Sequence, residues 1–234
     1  MITVTSFDDL GHQDHGWLKA CHHFSFADYY DPGRMGFGVL RVWNDDWIEA
    51  GKGFGEHPHK DMEIITYVRS GAVSHEDSLG NAGHTEAGQV QVMSAGTGIR
   101  HAEFNQGDED LTLFQIWIEP DAMGHAPRWD TRTFDHTRAS GGFQTLVSGR
   151  GGREHAEALF IHQDAALLAA VMEAGEEATL TIEPGRRAYL VPARGEVRVN
   201  GVVVPARGAA QIEHEAQLVI TAAEGAEVVM LDLP

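Results

Sequence analysis

The chain has 234 residues, 42% of them apolar, and its 17 Lys and Arg stand against 35 Asp and Glu for a formal net charge of −18. That apolar share supports a packed core and excludes global disorder, while the negative charge argues against unaided binding to a nucleic-acid backbone. The single cysteine, Cys21, excludes an intrachain disulfide framework and a cysteine-based zinc finger.

The first residues, MITVTSFDDLGHQDHGW, lack the basic start and apolar block of a signal peptide. No apolar run approaches the roughly 20 residues of a membrane span. The expectation is a cytoplasmic protein with no membrane partner.

In chain order, Val-, Ile-, Leu- and Thr-rich runs predict strands over Met62–Val68, Gln89–Met93, Leu111–Ile118, Arg187–Val191, Val197–Val204 and Gln217–Thr221. Twenty-seven glycines punctuate the chain. Many short strands with glycine turns indicate an all-β sandwich or barrel. One segment, His162–Met172, places Ala165, Leu168, Ala169 and Met172 at helical spacing and predicts a short connecting helix. Ser- and Gly-rich stretches at Thr137–Gly142 and Ser148–Gly152 read as loops. They suggest domains over residues 1–140 and 141–234. A faint repeat aligns Gly71 with Gly195 and Gly88 with Gly208. It sets Thr181, Glu183, Thr221 and Ala223 opposite His57, His59, His101 and Glu103.

The chemistry concentrates in two segments of the first half. In GFGEHPHKDMEIITYVRSG, His57 and His59 are two apart, so on a strand both imidazoles project to one side. Glu63 would join them if the strand continued. Alone, such a pair is as readily an exposed pair beside a turn. In GQVQVMSAGTGIRHAEFN, His101 and Glu103 repeat the spacing after a turn at Ser94–Gly98. Three neutral imidazoles and a carboxylate can surround a divalent metal and leave positions open for substrate and oxygen.

Both segments resemble the paired motifs of the cupin superfamily. The first motif, G-x5-H-x-H-x3,4-E-x6-G, is matched by Gly51, His57, His59, Glu63 and Gly71, with one extra residue before the last glycine. The second, G-x5-P-x-G-x2-H-x3-N, is followed by Gly88, Ser94, Gly96, His101 and Asn105. There Ser replaces Pro, and two extra residues precede the His. More narrowly, HPHKDMEIITYV, MSAGTGIRHAEFN, HGWLKACHHFSFADYYDP and GFGVLRVWNDDWIEAGKGFGEH closely resemble the pirin family.

That resemblance implies an all-β fold of two tandem cupin (jelly-roll) barrels with a few short helices, and a metal site in the first barrel only. It places the metal ligands at His57, His59, His101 and Glu103, and makes Glu63 an outer-shell or packing residue. It implies a dioxygenase of the quercetin 2,3-dioxygenase type, which takes a flavonol and O2 to a depside and CO, with Glu103 as the base. Fe(II) is the expected metal; nickel, copper, cobalt, manganese and zinc also suit the ligands. The alternative is a non-enzymatic, redox-sensitive regulator acting through a protein partner. A third reading is a sugar- or metabolite-binding cupin. Two complete barrels suggest a monomer.

Among the remaining residues, His22 and His23 read as packing beside Phe24 and Phe26. His75, Asp77 and His84 read as polar turn residues rather than a second metal site. Met35, Phe37, Trp43 and Phe54 read as core, some of them able to wall a pocket. His155, His162 and His214 read as surface or structural.

Overall fold

Alternating and fully apolar Val, Ile and Leu runs form strands throughout the computed structural model, which describes residues 1–134, 142–151 and 155–234. The chain opens with β1 (Ile2–Thr5). It continues through β2 (Gly11–Asp14), β3 (Leu18–His22), β4 (Leu40–Ile48), β5 (Gly53–His59), β6 (Glu63–Ser70) and β7 (Ala72–Asp77). Next come β8 (Ala82–Glu86), β9 (Gln89–Ser94), β10 (Ile99–Phe104), β11 (Leu111–Ile118) and β12 (Arg128–Thr133). After β13 (Gln144–Ser148) and the short β14 (Leu159–Phe160) follow β15 (Ala166–Met172), β16 (Glu177–Thr181), β17 (Arg187–Arg194) and β18 (Val197–Val199). The last four are β19 (Val202–Val204), β20 (Ala209–Glu213), β21 (Gln217–Ala222) and β22 (Ala226–Leu233). The one described helix is a 3₁₀ turn at Phe7–Asp9. No helix among the described residues is long and apolar enough to cross a membrane.

Two units result. One comprises Gly11–Phe134 and Leu159–Gln163. The other comprises Met1–Leu10 and the described residues beyond 141 apart from those five. Compared with a cut near residue 140, Met1–Leu10 and Leu159–Gln163 therefore change sides. The loop expected at Thr137–Gly142 lies, except for Gly142, outside the described residues, as does Gly152 of the second.

The first unit faces a seven-stranded antiparallel sheet, in the order β12-β9-β6-β11-β4-β3-β2, with a four-stranded sheet, β5-β10-β7-β8. Leu18, Ile48, Val68, Val73, Leu111 and Leu113 close one part of its core. Each fully buried Leu or Ile contributes roughly 1.5–3 kcal/mol of burial free energy. The second unit repeats the plan with β1-β20-β17-β22-β15-β13 and β16-β21-β18-β19. Its interior is aliphatic, built from residues such as Leu190, Val199, Ile212 and Met230. This is the all-β architecture of two jelly-roll barrels expected from the sequence.

The faint repeat is real at the level of topology. Gly71, between β6 and β7, and Gly195, between β17 and β18, both sit at φ +73, where only glycine is unstrained. A Cβ at either would press on the carbonyl oxygen of Asp110 or Gly225. The register proposed for the ligand positions is corrected, however. On β16 and the residue after it, Ala178, Leu180 and Ile182 belong to the core. On β21, Leu218, Ile220 and Ala222 do. Thr181 and Thr221 alternate with these and face away. A slip of one residue exchanges the two faces of a strand. The second barrel thus presents aliphatic side chains where the first presents histidines.

The helix expected over His162–Met172 is also corrected. Ala166–Met172 is a strand between β13 and β22. It is buried nearly end to end, so its run of Ala, Leu and Val reflects burial on both faces rather than a helical stripe. Val197–Val204 is two strands, not one. Asn200 and Gly201, at φ +47 and +83, make the two-residue turn that Asn-Gly favours.

Candidate metal centre

The local sequence dictates the arrangement. On β5 the alternation of the strand puts His57 and His59 on one face, and β10 does the same for His101 and Glu103. β10 lies between β5 and β7, with His101 opposite His57 on one side and opposite Asp77 on the other. The register shifts between His101 and Glu103, where β5 carries one extra residue. Such a bulge re-aims side chains beside sites. As a result the rings of His57, His59 and His101 converge. Their centroids are 4.8 Å apart for His57–His59, 4.5 Å for His57–His101 and 4.8 Å for His59–His101.

Among the described residues, two groups bring possible ligand atoms within 4.8 Å of one another. They are His57–His59–His101 and His75–His101–Glu103. The Glu103 carboxylate is buried and accepts hydrogen bonds from Gln91 Nε2 (2.6 Å) and Gln115 Nε2 (3.0 Å). His57 Nδ1 donates to the carbonyl oxygen of Gly55 at 2.8 Å, leaving its Nε2 lone pair available.

Burial keeps two of these rings, His59 and His101, neutral. Burial, then the adjacent His57, lowers the His59 imidazole to about 4. Burial, with His57, His59 and His75 nearby, pushes His101 lower still. Burial raises the Glu103 carboxyl, against the pull of His75, Gln115, His57 and Gln91. A neutral imidazole is the ligand form. The Nε2 of His101 is buried with no hydrogen-bond partner, an arrangement that ordinarily costs about 1–3 kcal/mol. A divalent transition metal fits these His and Glu donors and would satisfy that nitrogen.

The cluster lines a cavity of about 430 Å³, within the range typical of small-molecule sites. Trp17, Phe26, Phe54 and Trp117 wall it. Trp17 meets Phe54 edge-on at 5.3 Å, Phe26 meets Trp117 at 5.3 Å, and Trp117 meets His59 at 4.9 Å. Asn44, Asp46 and Gln115 are the polar groups across from the histidines.

Sequence reasoning missed Asp46, which is 4% exposed with an unpartnered Oδ1. Burial, with Asp45 and Glu103 beside it, pushes its carboxyl up to about 8. A carboxyl raised from 3.8 holds its proton when folded and loses it when unfolded. Its contribution is therefore full below pH 4 and fades as pH rises towards 8. In the metal-free protein, Asp46→Asn is expected to gain stability relative to the native chain over that window, by on the order of 1 kcal/mol per pH unit. Urea unfolding at pH 5 and pH 8 checks this. A difference that does not change with pH would mean that Asp46 is ionised throughout.

Other expectations resolve as follows. Glu63 opens β6 after a bend, and its carboxylate is spent on Ser94 Oγ (2.7 Å) and His162 Nδ1 (3.2 Å). His162 is thereby structural. His22 and His23 are buried, His22 against Asn44 at 2.8 Å. Phe37 and Trp43 are core, whereas Met35 is exposed and Phe54 stands in the pocket wall. His75 and Asp77 are not turn residues. Both lie on β7, with their paired side chains fully buried, and His75 is hydrogen-bonded towards His101. A signal did exist for Gln91 and Gln115: each is a polar residue between apolar neighbours on its strand.

Comparison with known proteins follows this geometry. Residues 4–118 match the family model described as Pirin, and residues 146–233 match the one described as the quercetinase C-terminal cupin domain. A pirin-like protein of Caulobacter vibrioides is 56% identical over 232 residues, covering 99% of both chains. A quercetin 2,3-dioxygenase of Escherichia coli K12 is 46% identical over 235 residues, covering 100% of this chain and 99% of the relative. The crystal structure of the bacterial pirin YhhW from Escherichia coli in complex with nickel(II) superposes with a TM-score of 0.93 at 45% identity, covering 100% of this chain and 99% of that one.

Proposed function

The chain belongs to the pirin family, and on that premise we propose that it is a metal-dependent dioxygenase that cleaves the oxygenated ring of a flavonol such as quercetin, giving a depside and CO. The observation that carries this is the convergence of three imidazoles in an aromatic-walled cavity that a buried carboxylate, Glu103, also lines. We take Fe(II) as the metal and His57, His59, His101 and Glu103 as its ligands. A bound divalent metal supplies a Lewis acid that lowers the pKa of the hydroxyl it meets.

The side chains do the rest. Trp17, Phe26, Phe54 and Trp117 suit a flat aromatic substrate and keep bulk water away from the reacting carbons. Glu103 takes the proton of the flavonol 3-hydroxyl. It would turn on the metal or leave it to do so, and Gln91 and Gln115 hold its carboxylate from two strands of the facing sheet. Asn44 and Asp46, across from the histidines, offer hydrogen bonds to the outlying phenolic oxygens.

Oxygen uptake with quercetin decides the matter. Protein stripped of metal and reloaded with Fe(II) is expected to consume O2 in step with flavonol loss, and the metal-free protein is not. No uptake from protein with metal bound would overturn the reading and favour a redox-sensitive regulator that acts through a protein partner.

A further inference from the structure

Behind the ligand cluster a second set of buried groups runs in line. Asp77 Oδ1 accepts the backbone N–H of Leu79 (2.9 Å) and of Asn81 (3.1 Å). Its Oδ2 accepts from Asn81 Nδ2 (2.8 Å) and faces His75 Nε2 at 3.1 Å. His75 Nδ1 in turn faces His101 Nδ1 at 3.3 Å. The side chains of His75 and Asp77 are both fully buried.

We propose that Asp77 and His75 form a relay that fixes the tautomer of His101, so that its ring proton sits on Nδ1 and its Nε2 lone pair faces the ligand cluster. The proposal rests on the metal-binding reading above, and it extends that reading from the ligands to the residues that aim them.

A carboxylate that already receives three N–H groups can only accept, so the His75 nitrogen facing it, Nε2, carries the proton. With one proton on the ring, its Nδ1 is a lone pair. The group facing that lone pair, His101 Nδ1, must therefore donate. His101 is then left with a bare Nε2, the very atom that is buried without a partner. His75 cannot itself be a ligand in this arrangement, because both its nitrogens are engaged.

Packing locks the relay. Trp129 stacks on His75, with ring centroids 4.9 Å apart and planes 10° apart. Gly83, opposite His75 in the β7–β8 register, leaves the space that the Trp129 indole occupies. Trp129 Nε1 also donates to Gln91 Oε1 at 3.3 Å, and Gln91 holds Glu103. One indole thus braces the supports of two proposed ligands. Outer partners of this kind set ligand orientation and basicity in metal sites.

Asp77→Asn tests the relay with almost no change of shape. The two backbone N–H groups at Oδ1 keep the amide oxygen there, which turns the NH2 towards His75 Nε2. His75 must then accept at Nε2 and donate from Nδ1, so His101 accepts at Nδ1 and carries its proton on Nε2. Nickel(II) affinity of the variant, by competition with a chelator, is expected to fall roughly 10–100-fold. Ring ¹⁵N–¹H spectra of the metal-free protein are expected to show the His101 proton on Nδ1 in the native chain and on Nε2 in D77N. A native proton on Nε2, or D77N binding nickel as tightly as the native chain, would overturn the relay. The native spectrum decides it even if D77N fails to fold. A native protein that binds no metal would sink the proposed function, and the spectrum would still judge the relay.

Discussion

His101→Ala is expected to leave a folded protein that retains no metal through dialysis and consumes O2 at background rate. The ring lies within 5 Å of both His57 and His59, so its loss leaves two imidazoles on one strand and Glu103 without its neighbour on β10. The effect should exceed the roughly 10–100-fold that removal of an outer-shell partner costs. The stability of the metal-free variant should fall by no more than about 1–3 kcal/mol, since the main loss is the hydrogen bond to His75 Nδ1. Elemental analysis and urea unfolding measure the two quantities. Metal content equal to that of the native chain would remove His101 from the ligand set.

The second large effect lies far from the chemistry in sequence, in the other barrel. Asp232 is 6% exposed and accepts from Arg186 Nε at 2.7 Å and from Arg150 Nη1 at 2.6 Å. Asp164 and Glu183 flank the same guanidinium groups from the solvent side. Breaking a buried ion pair by removing one partner costs about 3–5 kcal/mol, because the other charge stays buried. Asp232→Ala should therefore lower the urea-unfolding free energy by that amount, a large part of the roughly 5–15 kcal/mol typical of a domain. Replacing the pair together, as Asp232→Leu with Arg186→Met, should recover much of the loss. A fall below 1 kcal/mol for Asp232→Ala would show that Asp164 and Glu183 suffice to neutralise the arginines.

The shared face of His57 and His59, and of His101 and Glu103, was legible in the sequence because H-x-H and H-x-E each put two donors on one side of a strand. Leu111–Ile118 was legible to the residue, since its apolar run is bounded by charged residues on both sides. Ala166–Met172 was not. Ala, Leu and Met favour helices locally, and a strand buried on both faces shows no period to contradict them. His75 and Asp77 were hidden for the opposite reason: the segment Ser74–His84 is rich in Ser, Asp, Asn and Gly, the composition of a turn. Only the pairing of β7 with β10 places them beside His101 and Glu103. Gln91 and Gln115 were invisible as holders of Glu103 because that contact joins strands from opposite sheets, which one strand's pattern cannot express.

The place of β1 in the fold bears on synthesis as well as on architecture. Ile2–Thr5 pairs with Ala209–Ile212 of β20, so β1 leaves the ribosome well before the strand that it pairs with. At roughly 5–20 residues per second, about 10–40 s separate the two. During that interval the barrel of β2–β12 can close, while the nascent chain carries β1 as an unpaired strand. Such an edge is an opening for mispairing between chains on neighbouring ribosomes. Its short length, four residues with only partial burial, limits how well any wrong partner can hold it.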